Sequence, residues 1–321
     1  MHSLWLENQS HSLRDIPRPV KPGEALIKVR LSGICGTDLE LLRGYYPFTG
    51  VPGHEFVGEV IDIPNGSPLC KAKWVGKRVV GEINVVCDKC EQCRNGRPTH
   101  CENRSVLGIL NRDGVHAEYT SLPLENLHLV PERVPDEAAV FTEPLAAALE
   151  IQQQVQIRPT DRVLLIGAGR LGQLIAQTLA LTGTDLCVVA RHPLQQALLE
   201  SQKIRSISEA EIQSRRWDVV VEATGSPAGF DLARRALRPR GTLVLKSTYR
   251  GEMTVNWSPF VVDEITIVGS RCGPFAPALR LLESREVDPT VLIAQQFPLA
   301  NALEAMASAQ TPGILKVLLK P

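Results

Sequence analysis

From the N-terminus to about residue 150, apolar residues come in short stretches cut by glycine and proline. Residues 25–31, 56–61 and 75–80 are such stretches, and they read as strands joined by turns and loops, an all-β body. From 135 to 154 the spacing turns helical, rich in alanine and leucine. Strand and helix signals then alternate. Residues 162–166, 186–190, 218–222, 241–245 and 265–268 are apolar strands, separated by helical stretches at 171–181, 194–202 and 230–237. Continuous apolar strands between helices need cover on both faces, so this half predicts an α/β fold, a doubly wound parallel sheet.

Composition narrows the partners. The 321 residues are 44% hydrophobic and 22% charged, and 35 basic side chains balance 35 acidic ones. A net charge of zero gives no reason to expect nucleic acid or an anionic membrane surface. No apolar run is long enough to span a bilayer. Residues 1–20 lack the apolar core of a secretory leader, so a cytoplasmic location is expected.

Half of the eight cysteines fall in one segment, with C-x2-C-x2-C-x7-C spacing at Cys87, Cys90, Cys93 and Cys101. Two residues between thiols let one tight turn aim two sulfurs at a single tetrahedral ion. Four sulfurs close the shell, which is the pattern of a structural zinc site rather than a reactive one. Cys70, Cys187 and Cys272 are scattered, and reduced, inert thiols suit them better than a disulfide framework.

The first turn of the alternating half reads Gly167-Ala168-Gly169-Arg170-Leu171-Gly172. It follows a strand and opens a helix, the setting in which G-x-G-x-x-G signals a bound dinucleotide. Gly167 permits the tight turn, Gly169 lets a pyrophosphate approach the backbone, and Gly172 lets the helix pack close to the sheet. The end of the next strand, Ala190-Arg191-His192, lacks the carboxylate that holds ribose hydroxyls. Ala190 leaves room there, Arg191 can meet a 2′-phosphate and His192 can assist, which favours NADP over NAD.

A second metal constellation lies in the N-terminal half. Cys35 stands in Gly33-Ile34-Cys35-Gly36-Thr37-Asp38, His54 in Gly53-His54-Glu55, and Glu143 in Thr142-Glu143-Pro144. One thiolate, one imidazole and one carboxylate leave a fourth position for water or substrate, the pattern of a catalytic zinc.

On these motifs, with Glu222-Ala223-Thr224-Gly225, the chain resembles along nearly its whole length a zinc-dependent medium-chain dehydrogenase of the alcohol dehydrogenase superfamily. It is nearest the sorbitol, threonine and glucose dehydrogenase branch. The resemblance implies a GroES-like β-barrel catalytic domain at 1–148 and 271–321, with a zinc lobe at about 84–103. It implies a Rossmann domain at 149–270. It makes Cys35, His54 and Glu143 the catalytic zinc ligands, with Asp38 and Glu55 orienting the site from behind. Thr37 matches the hydroxyl that relays the substrate proton, and Thr224 falls among the cofactor-binding residues. Two zinc ions per chain, a small alcohol, polyol or sugar substrate, and a homodimer or homotetramer complete the expectation.

Two positions depart from the pattern or leave it open. Where some relatives end the proton relay with histidine, this chain has Glu40. Lys316 matches either a basic residue near the cofactor phosphates or a solvated strand lysine. The substrate pocket is expected from loops 42–48 and 247–257. A zinc hydrolase, and a cofactor-binding protein without chemistry, are the other readings. The glycine turn with its strand–helix series weighs against the first, and the complete set Cys35, His54 and Glu143 against the second.

Overall fold

The computed structural model describes residues 1–248 and 252–321. The chain forms two compact units, Met1–Glu143 with Phe275–Pro321, and Pro144–Pro274. The division falls a few residues from 148 and 270. Helix Thr142–Gln154 runs across the first boundary, so helical texture alone could not mark it.

The first unit is built on a seven-stranded sheet. Its order is Ile293–Pro298, Lys316–Lys320, Glu24–Ile34, Glu55–Asp62, Arg78–Gly81 and Leu127–Leu129, with Tyr119–Pro123 also paired to Glu24–Ile34. The C-terminal segment therefore supplies two strands to an otherwise N-terminal sheet. Register shifts at Leu26/Ile27 and Val29/Leu31 bend the long strand Glu24–Ile34. Its last residues pair Gly33 with Glu55 and Ile34 with Val317, which brings three distant segments to one end of the sheet. Beneath them lies a core of Leu4, Ile34, Leu39, Met306, Val317 and Leu319, with the small faces of Ala302, Ala305 and Ala309 from helix Ala302–Ala309.

Residues 75–77 depart from the expected strand. They follow helix Pro68–Trp74, whose N-cap Ser67 accepts the Cys70 N–H, and pairing starts only at Arg78. The N-terminal hairpin His2–Glu7 with Ser10–Asp15 carries no clear apolar alternation on its second strand. Asn8 and Gln9 make its turn in the left-handed region, where asparagine is tolerated better than most residues.

The second unit is a six-stranded parallel sheet. Its order is Ser206–Ile207, Asp185–Val189, Arg162–Ile166, Trp217–Glu222, Leu237–Leu245 and Thr266–Gly269. Numbered along the chain, that is 3-2-1-4-5-6, the doubly wound order whose direction reverses beside the first strand. The central strands Asp185–Val189, Arg162–Ile166 and Trp217–Glu222 are buried on both faces, with helices Arg170–Ala180, Pro193–Ser201 and Pro227–Ala236 packed on the sheet, whereas the edge strand Thr266–Gly269 is mostly exposed. Leu164, Val189, Val220, Phe230, Leu237 and Leu243 share its core. The strand Ser206–Ile207 is two residues long and left no periodic signal to read.

Candidate active site and metal centres

Among the described residues, two groups of metal-ligating side chains converge, each with its donor atoms within 4.8 Å of one another. The first is Cys87, Cys90, Cys93 and Cys101. The strand pair Asn84–Val85 and Ser105–Val106 frames this lobe, and one-turn helix Glu91–Arg94 starts at Cys90. Asp88, in the left-handed region, turns the chain between the first two thiols. Cys90 and Cys93 sulfurs lie 3.5 Å apart, as do those of Cys87 and Cys101. Four sulfurs about 2.3 Å from a tetrahedral zinc lie about 3.8 Å from one another, so the cage needs little adjustment to close on an ion.

The electrostatics fit the same group. The backbone N–H groups of Lys89 and Cys90 lower the Cys87 thiol to about 6. Burial, then the neighbouring thiols of Cys90 and Cys101, push Cys93 up to about 12. Four thiolates at this spacing repel one another, and a divalent cation at their centre removes that obstacle.

The second group is Cys35, His54 and Glu55. Cys35 caps helix Gly36–Leu42, and its own N–H donates to Asp38 Oδ2 at 2.8 Å, closing a capping box. His54 follows Gly53, whose φ of +97° turns the chain into strand Glu55–Asp62. The antiparallel pairing of Gly33 with Glu55 sets that carboxylate two residues from Cys35 across the ladder. A Cβ on residue 33 would lie 2.5 Å from Glu55 Oε2, so glycine is required for Glu55 to occupy this place.

The carboxylate gathered with Cys35 and His54 is thus Glu55, whereas sequence reasoning made Glu143 the ligand and set Glu55 behind it. Glu143 lies half-buried in the first turn of helix Thr142–Gln154 and is not one of the three. Sheet register, not motif spacing, makes the difference. Glu55 Oε2 accepts a 2.5 Å ion-pair contact from the buried Lys316 Nζ, which leaves its buried Oε1 without a partner. Lys316 is therefore not a solvated strand lysine: it is 3% exposed and neutralises the carboxylate.

Behind His54, its Nδ1 faces Asp38 Oδ1 at 3.4 Å. Burial opposes a proton on His54, but Asp38 and then Cys35 outweigh it and raise the ring well above the ordinary histidine value. Burial likewise pushes Asp38 up, and the charge of His54 with the contact from His116 carries it well below the carboxylate range instead. A pocket that favours positive charge this strongly, lined by sulfur, imidazole and carboxylate, has the donor set of zinc. The Thr37 hydroxyl lies 3.9 Å from the Cys35 sulfur. Glu40 accepts a 2.6 Å bond from Arg43 on the helix surface.

In the second unit, the glycine turn lies at the reversal of strand order, beside the ends of Arg162–Ile166 and Trp217–Glu222. Gly167 has φ +105°, and a Cβ on residue 172 would lie 2.0 Å from the Gly167 carbonyl. Gly169 has open space where a Cβ would point, and no side chain caps the helix it begins. Arg170 and Leu171 open that helix, so their N–H groups point to the same space. Ala190 is buried, while Arg191 and His192 are exposed past the second strand. Arg191 Nε donates to Glu209 Oε1 at 2.5 Å, a partner that lies 18 residues on. The Thr224 hydroxyl donates to Glu222 Oε1 at 2.5 Å and orders the turn before helix Pro227–Ala236. Of the loop 247–257, residues 249–251 lie outside the described residues.

Metal donors in one unit and a dinucleotide fold in the other define a class of protein, the metal-dependent nicotinamide oxidoreductases. Residues 21–132 match the alcohol dehydrogenase GroES-like domain, and residues 171–284 match the zinc-binding dehydrogenase model. D-arabinitol dehydrogenase 1 of Uromyces fabae is 30% identical over 96% of this chain and 92% of that one. A zinc-binding dehydrogenase of Sinorhizobium meliloti, solved with NADP, is 27% identical with a TM-score of 0.92, covering 100% of this chain and 99% of the other. An alcohol dehydrogenase of Escherichia coli, solved with NADH, is 27% identical with a TM-score of 0.90 over the same shares. The chain belongs to the zinc-type medium-chain dehydrogenase/reductase family.

Proposed function

We propose that the protein is an alcohol or polyol dehydrogenase that interconverts a substrate hydroxyl and the matching carbonyl. The convergence of Cys35, His54 and Glu55, three donors that leave one tetrahedral position open, carries this reading. A zinc there supplies Lewis acidity toward the substrate oxygen, and a nicotinamide nucleotide on the second unit supplies the hydride acceptor or donor. Cys35 and His54 hold the metal, with Glu55 as the third donor in this geometry and Glu143 the alternative. Thr37 takes up and passes on the hydroxyl proton. Asp38 fixes the His54 tautomer, because an ionised carboxylate accepts only N–H and so leaves the far ring nitrogen for the metal.

The four-thiol lobe holds a second, structural zinc, giving two ions per chain. Arg191 gives NADP the advantage over NAD. Among the described residues no cysteine forms a disulfide, which suits a reducing cytoplasm. Among the described residues no helix is long and apolar enough to cross a membrane. A homodimer or homotetramer is the expected assembly, with native mass as its check.

The relatives named for arabinitol and for alcohols set the substrate panel. Zinc-loaded protein is mixed with linear polyols, simple secondary alcohols and sugars, each with NAD and with NADP, and reduced nicotinamide is followed by absorbance. Turnover of at least one hydroxyl compound is expected, faster with NADP. Hydrolysis of esters or amides without nucleotide turnover would instead support a zinc hydrolase.

A further inference from the structure

Behind Asp38 lie two buried polar side chains, His116 and Ser32, that the dehydrogenase reading does not use. His116, Ser32 and Asp38 are each fully buried. Ser32 Oγ lies 3.0 Å from His116 Nδ1, and His116 Nε2 lies 3.5 Å from Asp38 Oδ2. The His116 ring also packs on Gly53, the residue before His54: a Cβ there would lie 2.6 Å from the ring. The His116 N–H donates to the Pro52 carbonyl at 3.0 Å. His116 thus touches both devices that place His54, its carboxylate partner and the turn that delivers it.

Proton bookkeeping fixes the directions. The Asp38 carboxylate accepts only, so both rings must present N–H to it. A proton on His116 Nε2 leaves Nδ1 to accept the Ser32 hydroxyl. At 3.4 and 3.5 Å the two ring contacts to Asp38 are longer than full hydrogen bonds, and they act as charge–dipole contacts around one buried anion. An apolar ring at 116 would leave Asp38 Oδ2 with only the Cys35 N–H at 2.8 Å. Unshared buried charge is costly, and Asp38 would then shift toward whichever donor remains.

We infer that His116 is a positioning residue for the catalytic metal: with Ser32 behind it, it holds Asp38 so that His54 keeps the tautomer and orientation that bind the ion. The inference rests on the proposed zinc site at Cys35 and His54. Partners behind a metal ligand typically set 10- to 100-fold in metal affinity.

The test uses cobalt(II) as a spectroscopic probe of the full-length protein depleted of metal. A Cys35→Ser control identifies the absorption band of this site and separates it from the four-thiol lobe. His116→Phe keeps the ring on Gly53 and removes both nitrogens. It should weaken cobalt at this site about tenfold or more and shift its band, while the metal-free protein stays folded but melts below wild type. His116→Gln, which keeps an N–H donor, should recover much of the affinity. If His116→Phe does not fold, Ser32→Ala carries the test, with an expected loss of a few fold. Wild-type affinity and spectrum in His116→Phe, or in Ser32→Ala when only that variant folds, would overturn the inference alone. So would a glutamine variant no better than phenylalanine. Wild-type protein with no Cys35-dependent cobalt band would overturn the metal-site reading and this inference together.

Discussion

Replacing Glu209 by glutamine should strengthen NADP binding and leave NAD nearly unchanged. Arg191, a fixed cation just past the second strand, is already paired with Glu209 Oε1 at 2.5 Å. Both side chains are open to water, 58% and 43% exposed, so the pair is worth only about 0.2–1 kcal/mol. An arginine–phosphate contact is charge-assisted and worth about 1.5–3 kcal/mol, so a 2′-phosphate can take the guanidinium from Glu209. It must then sit near the displaced carboxylate. Two such groups roughly 6 Å apart, screened by water and salt, repel by about 0.5–1 kcal/mol. Relief of both effects amounts to about 0.7–2 kcal/mol, or roughly a 3- to 30-fold lower Kd for NADPH. Fluorescence titration of wild type, Glu209→Gln and Arg191→Ala with NADPH and NADH measures this. Arg191→Ala should weaken NADPH and spare NADH. An unchanged or weaker NADPH affinity in Glu209→Gln would show that the phosphate never meets Arg191, and the NADP preference would lose its basis.

Three other outcomes follow from the same geometry. Thr37→Ala should slow turnover roughly 100- to 10,000-fold with nucleotide affinity near wild type, because its hydroxyl moves a proton and touches no phosphate; single-turnover kinetics checks this. Cys90→Ser should cut zinc content from two ions per chain toward one and lower the melting temperature, as read by elemental analysis and calorimetry. Asp263 accepts both Arg215 guanidinium nitrogens at 2.8 and 2.9 Å and Arg234 at 2.6 Å, and these bonds, Arg215 first, hold its carboxyl below the usual range. A folded-state value below the unfolded one stabilises above the unfolded pKa and is lost as pH falls through the folded one. Acid melts of Asp263→Asn should therefore lie below wild type near neutrality and converge with it as pH falls below the usual carboxylate range.

The sequence made some of this legible for physical reasons. Strands buried on both faces leave unbroken apolar runs, so 162–166 and 218–222 could be placed within a residue or so of Arg162–Ile166 and Trp217–Glu222. The turn shows because backbone geometry at Gly167 and close packing at Gly172 exclude side chains, whereas the space beside Gly169 is open. The Cys87–Cys101 spacing shows because one local turn builds the cage. What stayed hidden depends on register across long separations. Lys316 and Glu55 are 261 residues apart, and the pairings of Val317 with Ile34 and of Gly33 with Glu55 bring them together. His116 likewise meets Ser32 from 84 residues away. Glu209 carries no motif, so nothing along the chain marked it as the partner of Arg191.

The central claim is that a metal at Cys35 and His54 makes hydride transfer possible. Its most direct test is nucleotide reduction by one sample carried through three states: zinc-loaded, chelator-stripped at the catalytic site, and reloaded, with Cys35→Ser alongside. Reduced nicotinamide should form with a polyol or alcohol in the loaded state, cease on stripping, and return on reloading, and Cys35→Ser should stay silent throughout. Full activity in the stripped protein or in Cys35→Ser would contradict the claim.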